Sequence, residues 1–338
     1  MKTILLSIFI GTLSFLFTSI LIAWWIKGAK RFGFVGKDMN KYKKPQVAEA
    51  AGLPVILGIS FSFLFYIFIK VFYLKNYDHI IETFAILVSL LLACLLGFID
   101  DIFGWKLGLK VWQKLFFTIP VAIPLMVINA GSSVINLPLI GIISFGIFYP
   151  LIIVPIGIVG AANGFNMFAG YNGLEGGMGI IIISTLSFIS WLIGNVWITF
   201  LGILAVISLI SFLIFNWYPA KIFPGDSFTH SIGALIAMFA ILGNMEKIAI
   251  FLFIPYFLDA FLYIRAIAID RVGKVEAFAK PNEDGSLDLP YKKNYDLSHV
   301  SISILKKFKK KVYEQDVVLS LLGMELLISA IILAFYLY

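Results

Sequence analysis

Residues 84–99 read FAILVSLLLACLLGFI, a stretch with no charge, no proline and no amide, apolar on every side. A helix at the surface of a soluble domain carries an apolar stripe and a polar face, whereas one that is apolar all round must be buried or span a membrane. Runs of this kind recur along the whole chain. Roughly 20 apolar residues cross a hydrocarbon core about 30 Å thick, and the sequence has room for about ten such crossings. The composition agrees: 61% of the 338 residues are hydrophobic and only 13% are charged, against about a quarter charged in soluble domains. A soluble globular protein is excluded. So is an outer-membrane barrel, whose strands alternate apolar and polar residues. The fold class expected is all-α, a polytopic membrane protein of about ten transmembrane helices.

Apolar runs bounded by charge, Gly, Pro or Asn place spans at 3–26, 53–74, 82–99, 111–129, 138–160, 178–194, 196–215, 229–244, 248–269 and 317–337. The first ends in Trp24-Trp25 and Lys27 and is too long for a signal-peptide core, so it reads as a retained helix. The net charge of +7 is distributed very unevenly. Lys27, Lys30, Arg31, Lys37, Lys41, Lys43, Lys44, Lys106, Lys110, Lys114, Lys221 and the basic residues from Arg271 to Lys311 fall on one side, and only Lys2, Lys70, Lys75 and Lys247 on the other. The positive-inside rule makes the first side cytoplasmic and puts both termini outside. That charge calls for no nucleic acid. The seven tryptophans lie near span ends, as an interfacial belt requires. Residues 1–338 form a single integral membrane domain, with 270–316 as a cytoplasmic loop insert between the last two helices, its KPNEDGSLDLPYKKNY stretch having the chemistry of a loop or short hairpin. The single cysteine, Cys94, excludes a disulfide framework or a cysteine metal site.

Polar residues at a membrane face are costly and therefore functional candidates. Four clusters fall on the cytoplasmic side. Asp100 and Asp101 end the third span, where two carboxylates repel each other and gain nothing from a helix C-terminus. They read either as a solvated end paired with Lys106 or Lys110, or as a site for a divalent cation or a proton. NGFNMFAGYNGLEGG, residues 163–177, combines Asn163, Asn166, Asn172 and Glu175 with glycines that let backbone approach a ligand. In FNWYPAKIFPGDSFTHS, residues 215–231, Asp226 opens the eighth span, either as a helix cap or as a carboxylate beside a bound phosphate. The segment 37–52 is basic and ends in Glu49 and Gly52. Carboxylates, amides and lysines, without a catalytic Cys, a Ser-His pair or a GxxxxGK[ST] loop, suit phosphoryl transfer by positioning and charge neutralisation. A cation-coupled transporter with Asp100, Asp101, Asp259 and Glu325 as relay groups is the alternative from another class.

GFIDDIFGWKLGLK, NGFNMFAGYNGLEGG and FNWYPAKIFPGDSF, in this order and on one face, resemble the polyprenyl-phosphate N-acetylhexosamine-1-phosphate transferases of glycosyltransferase family 4. The Asn-Gly-Leu-Glu and Asn-Trp-Tyr-Pro strings look closest to the archaeal and eukaryotic dolichyl-phosphate N-acetylglucosamine-phosphotransferase branch. The likeness runs from about residue 30 to the last span. It implies a ten-span fold with a cytoplasmic active-site groove, in the plasma membrane of a prokaryote. It also implies transfer of N-acetylglucosamine-1-phosphate, or a related N-acetylhexosamine-1-phosphate, from a UDP-sugar to dolichyl or polyprenyl phosphate with release of UMP. That reaction would be the first step of lipid-linked oligosaccharide synthesis for N-glycosylation; a cell-wall-type enzyme acting on undecaprenyl phosphate is the runner-up within the superfamily. Carried over by residue, the resemblance makes Asn166 and Asp226 ligands of Mg²⁺ (Mn²⁺ as the alternative), Asp100 and Asp101 the paired catalytic acids, and Lys110 their cationic partner. Asn163, Asn172 and Glu175 would shape the nucleotide-sugar pocket, with Glu49 as the acidic position after the first span. Lys274 and Lys280 are the cations in the stretch where eukaryotic members carry Arg-His-Arg. The partners implied are the UDP-sugar, the lipid phosphate and membrane lipids; the sequence leaves open whether the chain acts alone or as a homodimer. Direct attack of the lipid phosphate on the β-phosphorus is favoured over an aspartyl-phosphate intermediate.

Overall fold

The computed structural model describes residues 2–107, 111–137, 141–273 and 275–337. Long apolar helices dominate it. α1 (Lys2–Phe32) is followed by a hairpin of β1 (Val35–Lys37) and β2 (Gln46–Ala48), then α2 (Gly52–Phe68), which ends in a π-helical turn, Ile69–Tyr73. α3 (Ile80–Leu107) and α4 (Val111–Val127) lead to a second hairpin, β3 (Val134–Leu137) with β4 (Gly141–Ser144). α5 (Val154–Met167), entered through a π-helical turn at Tyr149–Ile153, precedes α6 (Leu174–Leu192), α7 (Val196–Asn216) and α8 (Asp226–Leu242). α9 (Glu246–Leu252) and α10 (Ile254–Ala268) follow, then a small hairpin of β5 (Lys280–Pro281) and β6 (Leu287–Asp288), α11 (Leu297–Leu305) and α12 (Glu314–Leu337).

Among the described residues seven helical stretches are long and apolar enough to cross a bilayer, or eight if α9 and α10, bent by 54°, form one broken span. α4 and α8 are apolar but shorter. The chain is thus an integral, polytopic helical membrane protein, and large side chains such as Ile20, Phe72, Phe116, Phe261 and Phe335 face outward along its flanks, an apolar surface that water does not tolerate on this scale.

Two expected spans need correction. The span expected at 138–160 begins only at Tyr149, because Val134–Leu137 and Gly141–Ser144 pair as the antiparallel strands β3 and β4 instead, while 138–140 lie outside the described residues. Its β-branched run (Val134, Ile135, Ile142, Ile143) favours strand, and Gly131 and Gly146 take positive φ at its ends. The span expected at 248–269 breaks at Phe253. Pro255 has no N–H to give the preceding turn and its ring clashes with the carbonyl four residues back, so the helix restarts at a new angle. The 270–316 segment holds the expected short hairpin and, in addition, α11.

α8 is the axis of the bundle: every residue from Ser227 to Ile241 is buried. Small residues bring its neighbours close, as in other membrane helix pairs. A Cβ on Gly97 of α3 would stand 2.3 Å from the Asp226 carbonyl oxygen, and one on Gly233 would stand 2.4 Å from the Ala161 carbonyl of α5. Hydroxyl pairs tie α1 to its neighbours: Ser14 meets Ser208 of α7 at 3.0 Å and accepts from Ser62 of α2 at 2.6 Å, and Ser19 meets Ser211 at 2.8 Å.

Candidate active site

The close α3–α8 contact at Gly97 sets Asp100 and Asp101, one helical turn on, against the start of α8. Their two carboxylates do different things. Asp101 accepts from the Asp226 N–H (2.6 Å), the Ser227 N–H (3.1 Å) and the Ser227 hydroxyl (2.6 Å). It therefore caps α8 from another helix, supplying acceptors to N–H groups that have no partner within their own helix. Gly225 makes room for it, having φ 72° and no side chain where a Cβ would lie 2.7 Å from the Asp101 carboxylate. Asp226, released from capping, points elsewhere.

Asp100, 6% exposed, pairs with Lys114 of α4, whose ammonium lies 2.6 Å from Asp100 Oδ2 and 2.5 Å from Asp226 Oδ2. One cation thus bridges two carboxylates from two helices, which compensates charges that would be expensive alone. Beside them, one turn into α8, Thr229 donates its hydroxyl to Asn166 Oδ1 (2.7 Å). The Asn166 amide nitrogen meets His230 Nε2 at 3.3 Å, and the buried His230 Nδ1 has no hydrogen-bond partner among the described residues.

These groups form the floor of a cavity of about 540 Å³, whose walls include Lys37, Asp38, Glu49, Asn172, Glu175, Phe223 and Phe278. Glu49 is brought in by the β1–β2 hairpin, which is laced to the chain before α8: Phe223 N–H donates to the Ala48 carbonyl (2.8 Å), Ala51 N–H to Phe223 (3.0 Å) and Gly52 N–H to Pro224 (3.0 Å). Burial, and then the negative charge of Asp101, hold the Glu49 carboxyl above its usual range. On the far wall Glu175 accepts the Gly170 N–H at 2.6 Å, and Gly173 N–H donates to Asn216 Oδ1 at 3.0 Å. Asn172 donates its amide to Asp38 (3.0 Å) and its backbone N–H to Glu314 (2.8 Å), while Lys41 closes the network by pairing with Asp38 and Glu314.

A family model described as glycosyl transferase family 4 matches residues 83–244. A Saccharolobus solfataricus protein named for UDP-N-acetylglucosamine–dolichyl-phosphate N-acetylglucosaminephosphotransferase activity is 36% identical over 324 residues, 94% of this chain and 93% of the relative. The chain belongs to glycosyl transferase family 4. A Sulfolobus acidocaldarius protein named for the same activity is 34% identical over 98% of the chain and 96% of its own length. The enzyme of that name from Schizosaccharomyces pombe is 24% identical over 66% of the chain and 58% of its own length. The affinity is with the archaeal and eukaryotic dolichyl branch.

The family-matched stretch contains Asp100, Asp101, Lys114, Asn166 and Asp226. Of the residues singled out in the sequence, Glu49, Asp100, Asp101, Asn166, Asn172, Glu175 and Asp226 line one cavity. Asn163 does not join them: it lies on α5 and donates its amide to the Val159 carbonyl at 2.9 Å, and to the Thr118 hydroxyl at 3.4 Å. Asn163 and Asn166 are helical because α5 runs on to Met167, so the glycine-rich loop is shorter than its sequence suggested. Lys280 is exposed on β5, away from the cavity lining; the wall residue from that segment is Phe278. Lys110 and Lys274 lie outside the described residues. The cation that bridges the carboxylates, Lys114, was legible in one respect: it is the sole charge in the apolar α4 sequence VWQKLFFTIPVAIPLMV, and a charge inside such a helix marks a functional position. Asp38, Asn216 and Thr229 gave no comparable signal.

Proposed function

We propose that this protein transfers N-acetylglucosamine-1-phosphate from UDP-N-acetylglucosamine to dolichyl or another polyprenyl phosphate, releasing UMP and beginning a lipid-linked oligosaccharide for N-glycosylation. The observation that carries this reading is the Lys114 bridge between Asp100 and Asp226 at the N-terminus of α8, in a chain related over almost its full length to a protein named for this activity. A helix N-terminus beside an ammonium group is suited to phosphate oxygens.

Asn166 and Asp226 are the groups that would hold Mg²⁺, or Mn²⁺ in its place. They fit a hard cation by donor type, since amide and carboxylate oxygens are its preferred ligands. The Lys114 ammonium stands against the Asp226 carboxylate as a cation does. When bound, the metal neutralises pyrophosphate charge.

The chain's own residues do the rest. A lipid phosphate oxygen attacks the β-phosphorus, the bond from that phosphorus to the bridging oxygen breaks, and UMP leaves with the electron pair. Lys114 neutralises charge on the transferring group, the part expected of Lys110. Asp100, held by Lys114, orients the lipid phosphate, which is already mostly dianionic at neutral pH because its second pKa is about 6. Asp101 keeps α8 and Asp226 in place. Asn172 and Glu175 position the nucleotide sugar.

In the membrane, α4, α8 and the bent α9–α10 pair complete ten crossings with the seven long helices. The basic loops then set the cavity at the cytoplasmic face and both termini outside, in the plasma membrane of a prokaryote. The protein acts alone or as a homodimer. The test is UMP release by purified protein with Mg²⁺, a short polyprenyl phosphate and a panel of UDP-sugars. Release with UDP-N-acetylglucosamine, lost in Asp226→Ala, supports the reading; equal release from Asp226→Ala, or none from the parent protein with any donor, refutes it.

A further inference from the structure

A second polar cleft lies at the opposite end of the bundle. α2 starts at Gly52, where a Cβ would touch the Ser227 hydroxyl beside the active site, and its helical path continues to Tyr73 over 22 residues. At 1.5 Å per residue this carries the chain about 33 Å, roughly the hydrocarbon thickness of a bilayer. There a shallow cleft of about 750 Å³ opens between the π-helical turn, residues 74–79 and the turn joining α6 to α7.

Lys70 sits in that π-helical turn, a form of helix that is rare and recurs at functional positions. The residue is only 8% exposed. Its ammonium donates to the Asp78 backbone carbonyl at 2.5 Å and stands 5.6 Å from the centre of the Tyr66 ring. Among the described residues no carboxylate lies within the 4.0 Å of an ion pair with it. A buried ammonium with three donors, one of them given to a carbonyl, has two donors left for an anion, and the Asp78 and Glu82 carboxylates act on it only through space. Asn195 and the His79 ring, stacked on Trp197 at 4.5 Å, line the same cleft. The two nearby carboxylates make their direct contacts elsewhere: Asp78 accepts from the Asn76 amide at 2.9 Å, and Glu82 lies 3.3 Å from His79 Nδ1. Around the cleft Phe72, Tyr73 and Tyr77 are exposed, as aromatic residues at headgroup level are.

We propose that this cleft binds the phosphate of a lipid headgroup in the leaflet opposite the active site, with Lys70 as the anion's ligand. The placement rests on the bundle's length and does not depend on the transferase reading. A phosphodiester at this depth gives Lys70 an anion in direct contact, and the acyl chains lie along the exposed apolar flank of α2. The cleft thereby anchors the α2 end to the membrane at a fixed height.

Native mass spectrometry of the full-length protein in detergent tests this. The probes are phosphatidylglycerol, a galactosyl diacylglycerol without phosphate, and inorganic phosphate. The parent protein is expected to hold phosphatidylglycerol about tenfold more tightly than Lys70→Met, with Lys70→Arg near the parent and Lys75→Met unchanged. Equal retention by Lys70→Met and the parent overturns the proposal. So does equal binding of the galactolipid by the parent, a comparison that needs no variant and stands even if Lys70→Met does not fold. Displacement of the lipid by inorganic phosphate at the same concentration overturns the lipid as the source.

Discussion

Replacing Lys114 by Met removes one charge from a three-charge cluster and keeps most of the side-chain volume. The ammonium lies 2.6 Å from Asp100 and 2.5 Å from Asp226, so the variant takes away the cation that bridges the two carboxylates. Breaking a buried ion pair in this way costs about 3–5 kcal/mol. Lys114 and Asp226 side chains are 22% and 27% exposed, so water screens part of that loss and about 1–2 kcal/mol of stability is expected to go. The catalytic loss is larger: removing one preorganised partner of developing charge lowers turnover by roughly 100- to 1,000-fold, about 2.7–4 kcal/mol. Lys114→Arg keeps the charge but not the point geometry and should fall between. Initial rates of UMP release in nanodiscs, with the thermal midpoint read in parallel, separate the two effects. Adding Asp100→Asn to Lys114→Met should restore stability, since it removes one of the two like charges, without restoring turnover. A folded Lys114→Met protein whose kcat/KM stays within about threefold of the parent would refute this reasoning, because that corresponds to well under 1 kcal/mol of transition-state stabilisation.

Further outcomes follow from the same geometry. Asp101→Ala strips acceptors from two N–H groups and one hydroxyl at the start of α8 and should cost about 2–4 kcal/mol, with Asp101→Asn recovering part of it; an unchanged thermal midpoint would show that the cap is not needed. Glu49 holds its proton in the folded protein above the ordinary value of 4.5, over a pH range in which the unfolded chain has released it. Stability from this group is therefore full below 4.5 and is lost as pH rises through the folded value. Midpoints measured against pH should show that decline in the parent and a flatter profile in Glu49→Gln. Chelation of divalent metal should abolish turnover, with restoration by Mg²⁺, and Mg²⁺ should raise the midpoint of the parent but not of Asp226→Ala.

The membrane class was legible because apolar runs of about 20 residues have almost no other physical meaning. Spans fail to read correctly where a local rule interrupts that pattern: Pro255 breaks one helix in two, and a β-branched, glycine-bounded run makes a hairpin where hydropathy alone suggests a helix. In the site, residues clustered in sequence were visible as clusters. What sequence spacing conceals is direction. Asp100 and Asp101 are neighbours, yet α3 points one at Lys114 and the other at the start of α8. Asn163 and Asn166 are one turn apart, yet only Asn166 lines the cavity. Lys110 and Lys114 are four residues apart in the sequence, and nothing in that spacing says which reaches the carboxylates. Asp38, Lys41 and Glu314 meet only because α12 returns to the cavity after the long loop, a long-range contact that no local motif encodes.

The central claim is that the bond broken lies between the two phosphorus atoms of the donor. UDP-N-acetylglucosamine carrying radiolabel at the β-phosphorus tests it directly, with the purified protein, a polyprenyl phosphate and Mg²⁺. The label should pass to the lipid fraction while unlabelled UMP accumulates, and Asp226→Ala should show neither. Label recovered in UDP, with an unlabelled sugar on the lipid, would mean attack at the sugar carbon and would contradict the account.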